Sequence, residues 1–292
     1  MAGLKEIRTR IASVKSTQKI TSAMKMVAAA RLRKSQEKIT RLRPYAEKLD
    51  QVLQSIQKSL EGDIENELIK SREPGKVLIV LVTSNRGLCG AFNANIVKEA
   101  LLRINKEYSK QHQQNKLSFF AIGKKGADSL KSKSLPLEGE NIEIFDELSF
   151  KNTSDLAEHF TDLFTDGKYD RIEIIYNQFK NAAIQYVTTE TFLPLSFEDD
   201  QKDKANSLDY IIEPDSEYLI QELIPKSLKI KMFKIIIDSY TSEHGARMTA
   251  MHMATDNASE LIKDLSLTYN KARQSAITNE ILDIVGGAEA LR

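Results

Sequence analysis

The chain has 292 residues, of which 41% are hydrophobic and 28% charged, and its net charge is +1. This composition is typical of a water-soluble protein long enough for two domains. The single cysteine, Cys89, excludes an internal disulfide and suits a reducing compartment. The sequence holds no apolar run long enough to span a membrane, and its start lacks the apolar core of a secretory signal.

The first segment, residues 4–60, is predicted to be one long helix, because its only proline is Pro44. A proline at that position is expected to bend the helix. Near residues 18–25 the seam turns polar, while Ile20, Met24 and Val27 offer a shifted apolar stripe, which would mean a change of packing partner or of supercoil. The seam has the alternating three–four spacing of a coiled coil and runs through Leu4, Ile7, Ile11, Val14, Gln18, Thr21, Lys25, Ala28, Leu32, Ser35, Ile39 and Leu42.

The same segment is strongly basic. Residues 1–43 contain twelve Lys and Arg residues against only Glu6 and Glu37, a local charge of +10. Acidic partners four residues away are almost absent, so the charge predicts an acidic partner molecule rather than a self-neutralised helix surface. Nucleic acid is the generic acidic partner, but residues 1–44 hold no aromatic side chain on which bases could stack.

The middle of the chain alternates strands and helices, which predicts an α/β layer rich in parallel strands. The last two strands are close enough in sequence to form an antiparallel hairpin, and the polar residues 197–209 are expected to link back to helix. The predicted strands are 76–82, 117–123, 171–179 and 183–195, and the predicted helices lie near 93–110, from 124 onward and at 153–166.

A second long helix is predicted from Tyr218 to the pair Gly286 and Gly287, with Pro225 in its first turn. Small residues at 239–250 would let two backbones approach closely. A helix of this length cannot bury its apolar stripe on a domain of this size, so it needs the first helix beside it. Its three–four seam is predicted to run through Met251, Ala254, Ala258, Leu261, Leu265, Thr268 and Ala272.

Two glycine-rich loops, 87–90 and 123–126, each join a strand to a helix, the place where open α/β sheets bind ligands. Neither matches a dinucleotide or P-loop pattern, so tight turns with positive φ are expected, with nucleotide binding as the weaker alternative. The four histidines lack zinc-ligand spacing and are expected on helix surfaces, while Cys89 is expected to be a small buried residue rather than a nucleophile. No catalytic constellation, cofactor or metal site is predicted.

The two ends of the chain carry a specific resemblance. The start, MAGLKEIRTRIASVKSTQKITSAMKMVAAARLRKSQ, and the end, from SEHGARMTAMHMATDNASELI to VGGAEAL, resemble the gamma subunit of F-type ATP synthases. The terminal signature is Ile277-Thr278-x-Glu280-x-x-Asp283-x-x-x-Gly287-Ala288, and the loop RGLCGAFN (86–93) is also similar. Family members often carry Asp where this chain has Asn85, and the chain lacks the cysteine pair of the chloroplast type.

The resemblance implies an α/β domain (75–208, Rossmann-like) inserted between two terminal helices (1–60 and 210–292) that form an antiparallel left-handed coiled coil. It also implies the central rotor shaft of the synthase, which couples proton-driven rotation of a membrane ring to conformational change, and to ATP synthesis or hydrolysis, at the catalytic beta subunits. The chain itself would be non-catalytic.

The implied partners are the alpha and beta subunits of the head, the epsilon subunit and the c-ring, without nucleic acid. The chain would be peripheral to the membrane through the c-ring, on the cytoplasmic face of a bacterial inner membrane, or alternatively on the mitochondrial matrix face after processing. The residues implied to contact the alpha and beta subunits are Met24, Lys25, Arg33, Arg247, Arg273, Gln274, Thr278 and Glu280.

Two rival hypotheses stay open at the level of sequence. The first is a nucleic-acid-binding helical hairpin with a globular insert, which the basic segment favours. The second is an α/β enzyme of flavodoxin-like outline that uses its helices to dimerise; it requires catalysis or saturable nucleotide binding by the isolated chain.

Overall fold

The computed structural model describes residues 3–59, 67–69, 73–195 and 216–290. A long helix at each end, α1 (Leu4–Ser59) and α6 (Ser216–Ala290), flanks an α/β region, so the predicted fold class is confirmed. The predicted linker at 197–209 lies outside the described residues. Between the long helices lie β1 (Val77–Val82), α2 (Phe92–Lys106), α3 (Ser109–Gln113), β2 (Leu117–Ile122), α4 (Lys124–Ser132), β3 (Leu137–Asn141), a 3₁₀ turn (Glu143–Phe145), α5 (Phe150–Thr165), β4 (Arg171–Phe179) and β5 (Gln185–Leu193).

The chain divides into two compact units. The helical unit combines Met1–Ala29 with Arg247–Arg292, and the α/β unit comprises Ala30–Ala246. Helices α1 and α6 each have residues in both units, because the division falls within each helix, after Ala29 and after Ala246.

The sheet of the α/β unit has the strand order β3-β2-β1-β4-β5. The first four strands in this order are parallel, and β4 and β5 pair as the predicted antiparallel hairpin. All six residues of β1 are fully buried, since helices cover both faces of the sheet. Leu78, Val80 and Val82 face a core shared with α1, α5 and α6, whereas the alternate residues of β1 face a core built with α2 and α4.

Strand β3 was not anticipated from the sequence. Its residues, LEGEN, alternate between half-buried and exposed at the edge of the sheet, so they lack the apolar run that marks the other parallel strands. Helix α2 also ends earlier than predicted, at Lys106, and a separate short helix follows. The chain turns there because Tyr108 is buried and its hydroxyl donates to the buried carboxylate of Glu173.

Two predictions about α6 were wrong. Pro225 lies inside the helix, not in its first turn, and the helix continues through Gly286 and Gly287 to Ala290. Pro225 is exposed while Ile224 and Leu228 are buried, so core packing holds the helix together around the proline. The described part of α1 is likewise continuous through Pro44.

A buried polar contact joins three elements of the α/β unit. The Arg43 Nη2 atom of α1 donates to the Phe179 carbonyl at the end of β4 and to Asp238 Oδ1 of α6, both at 2.9 Å. The Asp238 side chain is 1% exposed and that of Arg43 36%. Burial raises the pKa of the Asp238 carboxyl, although the nearby Arg43 guanidinium acts in the opposite direction.

The second glycine-rich loop makes a turn that excludes a side chain. Gly123 has φ +99°, and a Cβ there would lie 2.2 Å from the Thr83 carbonyl oxygen. Gly167 has φ +69° but open space around it. The expected positive-φ turn is therefore confirmed at Gly123, where close backbone packing adds to the conformational requirement.

We expect Gly123→Ala to lower the free energy of unfolding by about 3 kcal/mol or more, since it combines backbone strain with a clash against backbone. Gly167→Ala, the matched control, carries only the conformational cost, about 1 kcal/mol. Urea unfolding of the two variants measures the difference. Equal losses would show that the close approach to Thr83 has no energetic weight.

The Arg43–Asp238 contact predicts an asymmetry at neutral pH. Arg43→Met leaves a buried carboxylate without its cation and should cost about 2 kcal/mol, below the figure for fully buried pairs because Arg43 is 36% exposed. Asp238→Asn keeps an acceptor and should change stability by about 1 kcal/mol or less. Denaturant unfolding checks this, with the exposed Arg41→Met as control. A larger loss in Asp238→Asn than in Arg43→Met would contradict it.

The raised pKa of Asp238 also predicts a pH effect. A carboxyl with a raised pKa binds its proton more tightly in the folded than in the unfolded chain. Its stabilising contribution is therefore fully present below pH 3.8, the ordinary pKa of the carboxyl, and is lost as the pH rises through the pKa of the folded chain. The wild type should therefore lose stability relative to Asp238→Asn as the pH rises above 3.8. Unfolding curves at several pH values test this, and a constant difference would contradict it.

Candidate functional site

The crevice where an open α/β sheet normally binds its ligand is filled by the chain itself. It lies beyond the carboxyl ends of the neighbouring strands β1 and β4. From β1 the sheet continues to β2 and β3 on one side and to β4 and β5 on the other, so the strand order reverses at this point. There the Ser239 hydroxyl of α6 donates to the Val82 carbonyl at 3.5 Å, and the Arg43 guanidinium of α1 donates to the Phe179 carbonyl. A Cβ on Gly245 would lie 3.2 Å from the Ala182 carbonyl oxygen. The small residues of α6 thus accommodate the β4–β5 hairpin, and the crevice holds helix instead of a small molecule.

Side-chain oxygens accept backbone N–H groups in the second glycine-rich loop and at the carboxyl end of β1. Asn93 Oδ1 accepts the N–H of Ser84 at 2.9 Å, and Thr83 Oγ1 accepts that of Gly126 at 2.8 Å. The N–H of Lys124 donates to Asn85 Oδ1 at 3.0 Å. Because a phosphate-binding loop aims such groups at its ligand, these bonds favour the structural-turn interpretation over nucleotide binding for the loop 123–126. Cys89 is 2% exposed, as expected for a small packing residue.

An open cleft of about 470 Å³ lies at the β3 side of the sheet. Glu140, Glu143 and Asp155 contribute three carboxylates to its lining, together with His159. Carboxylates repel the phosphates of a nucleotide, so this cleft does not suit the ligand of the α/β-enzyme hypothesis. In the described part of the chain, no group of three or more potential metal ligands lies close enough to hold an ion.

The histidines do not form a site. His244 is buried, contrary to the surface position expected, and its ring packs edge-on against Tyr240 with 4.4 Å between ring centres. His252 is exposed on α6, with Nδ1 3.3 Å from Lys25 Nζ and 3.3 Å from Asp256 Oδ2.

In the helical unit, α1 and α6 pair side by side in antiparallel directions. Gln18 Nε2 donates to Ser259 Oγ at 2.7 Å, the hydroxyls of Thr21 and Thr255 lie 2.8 Å apart, and Lys25 meets His252. Each step along α1 is matched by an opposite step along α6, which confirms the predicted antiparallel pair. Its left-handedness stays an expectation from the three–four spacing.

The shifted apolar stripe proposed for α1 was wrong. Ile20 and Val27 are 58% and 56% exposed, whereas the seam position Thr21 is 9% exposed. The seam therefore keeps its original phase, and its polar side chains face partners across the pair instead of water. Hydrogen bonding removes the cost that would otherwise drive the polar side chains out of the seam.

The α6 seam is displaced by one residue at two places. Leu261 and Thr268 are exposed, whereas the next residues, Ile262 and Tyr269, are half-buried. Ala254 is half-buried, as is Thr255, which bonds to α1. A regular three–four series of buried and half-buried residues runs through Met251, Thr255, Ala258, Ile262, Leu265, Tyr269 and Ala272.

The far end of α6 extends past its partner. The cross-helix pairs set a register in which Leu4, the first residue of α1, lies beside Ala272 or Arg273. From Arg273 to Ala288 every residue is exposed, as expected where α1 has ended. This free end, Arg273–Ala290, is about 27 Å long. It nevertheless carries large apolar side chains that are 48–66% exposed, namely Ile277, Ile281, Leu282, Ile284 and Val285.

The residues implied by the resemblance lie in four places, namely the free end of α6, a half-buried part of α1, an exposed position of α1 and a buried position of α6. Arg273, Gln274, Thr278 and Glu280 lie together on the free end and are exposed. Met24 and Lys25 are half-buried on α1.

Arg33 and Arg247 contrast sharply with each other. Arg33 has a side chain that is 87% exposed and forms an ion pair with Glu37 at 3.5 Å. Arg247 is only 9% exposed within the chain itself.

The sequence analysis did not single out the polar seam residues as a group, although it did place Gln18 and Thr21 in the seam. These residues are Gln18, Thr21, Thr255 and Ser259.

The basic surface of α1 is solvent-accessible over most of its length. The exposed cations are Lys5, Arg8, Arg10, Lys15, Lys19, Arg31, Arg33, Lys34, Lys38 and Arg41. Like charges this close cannot neutralise one another, which leaves a surface complementary to acidic side chains. None of the described helices contains an apolar stretch that meets the requirements of a bilayer crossing.

Comparison with known proteins agrees with this architecture. A family model described as ATP synthase matches residues 3–291. The ATP synthase gamma chain of Flavobacterium psychrophilum is 58% identical over the whole of both chains, and that of Cytophaga hutchinsonii is 52% identical over 100% of this chain and 99% of its own length.

Solved structures show the same fold. A chain of the Euglena gracilis mitochondrial ATP synthase, from an OSCP/F1/c-ring structure in rotational state 3, matches with a TM-score of 0.72 and 24% identity, covering 99% of this chain and 94% of its own. A chain of the Tetrahymena thermophila central stalk/c-ring structure has 25% identity and a TM-score of 0.58, covering 80% of this chain and 99% of its own.

The whole-length identity to bacterial gamma chains, together with the paired terminal helices, favours the gamma-subunit family over both rival hypotheses. The chain belongs to the gamma-subunit family of the F-type ATP synthases.

Proposed function

We propose that this chain is the central rotor shaft of an F-type ATP synthase and that it catalyses no reaction itself. Rotation of the membrane c-ring, driven by protons, would turn the chain. The turning chain would force the beta subunits in sequence through the conformations that make or hydrolyse ATP. A shaft can drive such a cycle only by contacting the conformations unequally, and the unequal sides of α1 and α6 supply that asymmetry.

The observation that carries this proposal is the free end of α6. A lone helix that exposes Ile277, Ile281 and Ile284 requires a surrounding apolar socket in the assembled protein. Apolar contact has no preferred direction, so it can centre a helix while the helix turns. A socket formed by the alpha and beta subunits would act as the upper bearing of the shaft.

The polar residues of the free end and the basic surface of α1 have a complementary role. Solvated ion pairs and hydrogen bonds contribute only about 0.2–1 kcal/mol each. Contacts that weak can form and break at each angle, whereas a buried lock would stall rotation. We assign this role to Lys25 and Arg33 against acidic segments of the beta subunits, and to Arg273 and Glu280 against polar loops of the surrounding subunits.

The remaining contacts with alpha and beta are assigned to Met24, Arg247, Gln274 and Thr278. Since Arg247 is 9% exposed in the chain, a contact through its side chain would need a local rearrangement. The α/β unit would rest on the c-ring with the epsilon subunit. The bacterial relatives support a position on the cytoplasmic face of the inner membrane.

Affinity purification from the source membranes tests the assignment. A tag placed on this chain should recover two large homologous ATPase subunits together with the ring subunit. Purification without them, or saturable nucleic-acid binding by the purified chain at physiological salt, would contradict the proposal.

Arg273→Glu should reduce ATP synthesis by assembled complexes about fivefold, because reversing one solvated contact changes its energy by about 1 kcal/mol. Lys271→Glu makes the same change in charge at an exposed position of α6 two residues before Arg273, ahead of the free end, and should have little effect. Synthesis by inverted membrane vesicles is measured at equal amounts of assembled complex. Equal rates for the two variants would contradict a contact role for Arg273.

A further inference from the structure

The contacts of α1 with the rest of the α/β unit are of two physical kinds. Ala46 and Leu53 are buried, and Leu53 packs with α6 residues such as Ile224 and Leu228 in a shared apolar core. Apolar packing of this kind opposes separation of the helices. It discriminates much less between neighbouring positions along the helix axis, because it depends on buried area and has no preferred direction.

Arg43 adds a directional contact. Its guanidinium reaches the end of β4 and the side chain of Asp238 at the same time, both at 2.9 Å. Moving α1 by one residue along its axis would carry the guanidinium about 1.5 Å and break both bonds. The carboxylate left behind would be 1% exposed and without its cation. Buried polar contacts are known to fix the register of paired helices in this way.

Other polar contacts of α6 in the α/β unit join it to the sheet and to α5. Lys231 Nζ donates to the Thr191 carbonyl at 2.8 Å, Ser239 Oγ donates to the Val82 carbonyl, and Lys229 pairs with Glu158 of α5. These bonds fix α6 on the sheet. Arg43 joins α1 to the same framework, because it donates hydrogen bonds to both the sheet and α6.

We propose that Arg43 is a positioning residue that fixes the axial register of α1 against α6 and β4, so that torque applied to the α/β unit turns both helices together. This inference rests on the rotor function proposed above. The register claim itself concerns only the α/β unit and can be tested without that function.

The test removes the directional bonds while keeping the site packed. The double variant Arg43→Met/Asp238→Leu replaces the ion pair with apolar side chains, a change that buried pairs often tolerate without loss of stability. Thermal unfolding of the full chain confirms that it folds. Arg41→Met is the matched control, since it removes an exposed arginine two residues earlier in α1.

Register is measured by pulsed EPR on the full chain. Spin labels are attached at Gln36→Cys and Lys226→Cys, both exposed, with Cys89→Ser removing the natural thiol. We expect one narrow distance distribution in the otherwise native chain and in Arg41→Met. The double variant should give a distribution shifted or broadened by one or more helical steps of about 1.5 Å. The single variant Arg43→Lys keeps a cationic donor beside Asp238, and its distance distribution should be closer to the native one than that of the double variant.

Coupling is then measured with the holoenzyme in inverted membranes, as protons pumped per ATP hydrolysed. The double variant should lower this ratio at least about twofold with assembly unchanged. A native distance distribution in the double variant would overturn the proposal. A changed distance distribution together with a wild-type ratio of protons pumped per ATP would overturn it as well. If wild-type membranes show no pumping that depends on this chain, the rotor function fails instead.

Discussion

The structure depends on the mutual burial of two very long helices. Neither α1 nor α6 can bury its apolar stripe on the small sheet alone, so each covers the other. In the helical unit, a seam of small and hydroxyl-bearing side chains allows cross-helix hydrogen bonds such as Thr21 to Thr255. In the α/β unit the same two helices enter a shared apolar core with the sheet. One pair of helices thus meets two different requirements in its two parts.

The α/β unit closes the crevice in which sheets of this type commonly bind ligands. Its strand order leaves a crevice at the carboxyl ends of β1 and β4, yet Ser239 and Arg43 fill it with bonds from α6 and α1. In the glycine-rich loop 123–126, the N–H groups of Lys124 and Gly126 donate to side chains of the same unit. The sheet therefore acts as a platform that holds the two helices, which is consistent with function carried by surfaces instead of a pocket.

Much of this architecture could be predicted from the sequence because it rests on long-range periodicity. The three–four spacing of α1 identified a seam whose members are all buried or half-buried in the structure. The apolar runs of β1, β2 and β4 marked the parallel strands. Strand β3 escaped because an edge strand of Leu, Glu and Gly carries no such run. The stop expected at Gly286 failed because a glycine pair weakens a helix by only about 1 kcal/mol per residue and need not end it.

The contacts between distant residues could not be predicted. Arg43 looked like one more cation in a basic segment, and Asp238 was not singled out. Their bond joins positions 195 residues apart, a separation that no local pattern encodes. Conversely, the exposure of Arg273 and Thr278 followed only once the register of the helix pair showed where α1 ends. The basic surface was visible at once, because charge asymmetry needs no knowledge of the fold.

Direct observation of rotation tests the central claim most directly. The assembled complex is immobilised through its catalytic head, and a gold particle is attached to the α/β unit through a cysteine at the exposed position Lys110. On addition of ATP, we expect the particle to rotate continuously in one direction at a rate that follows ATP hydrolysis. Hydrolysis at the normal rate with only random angular motion of the particle would contradict the account.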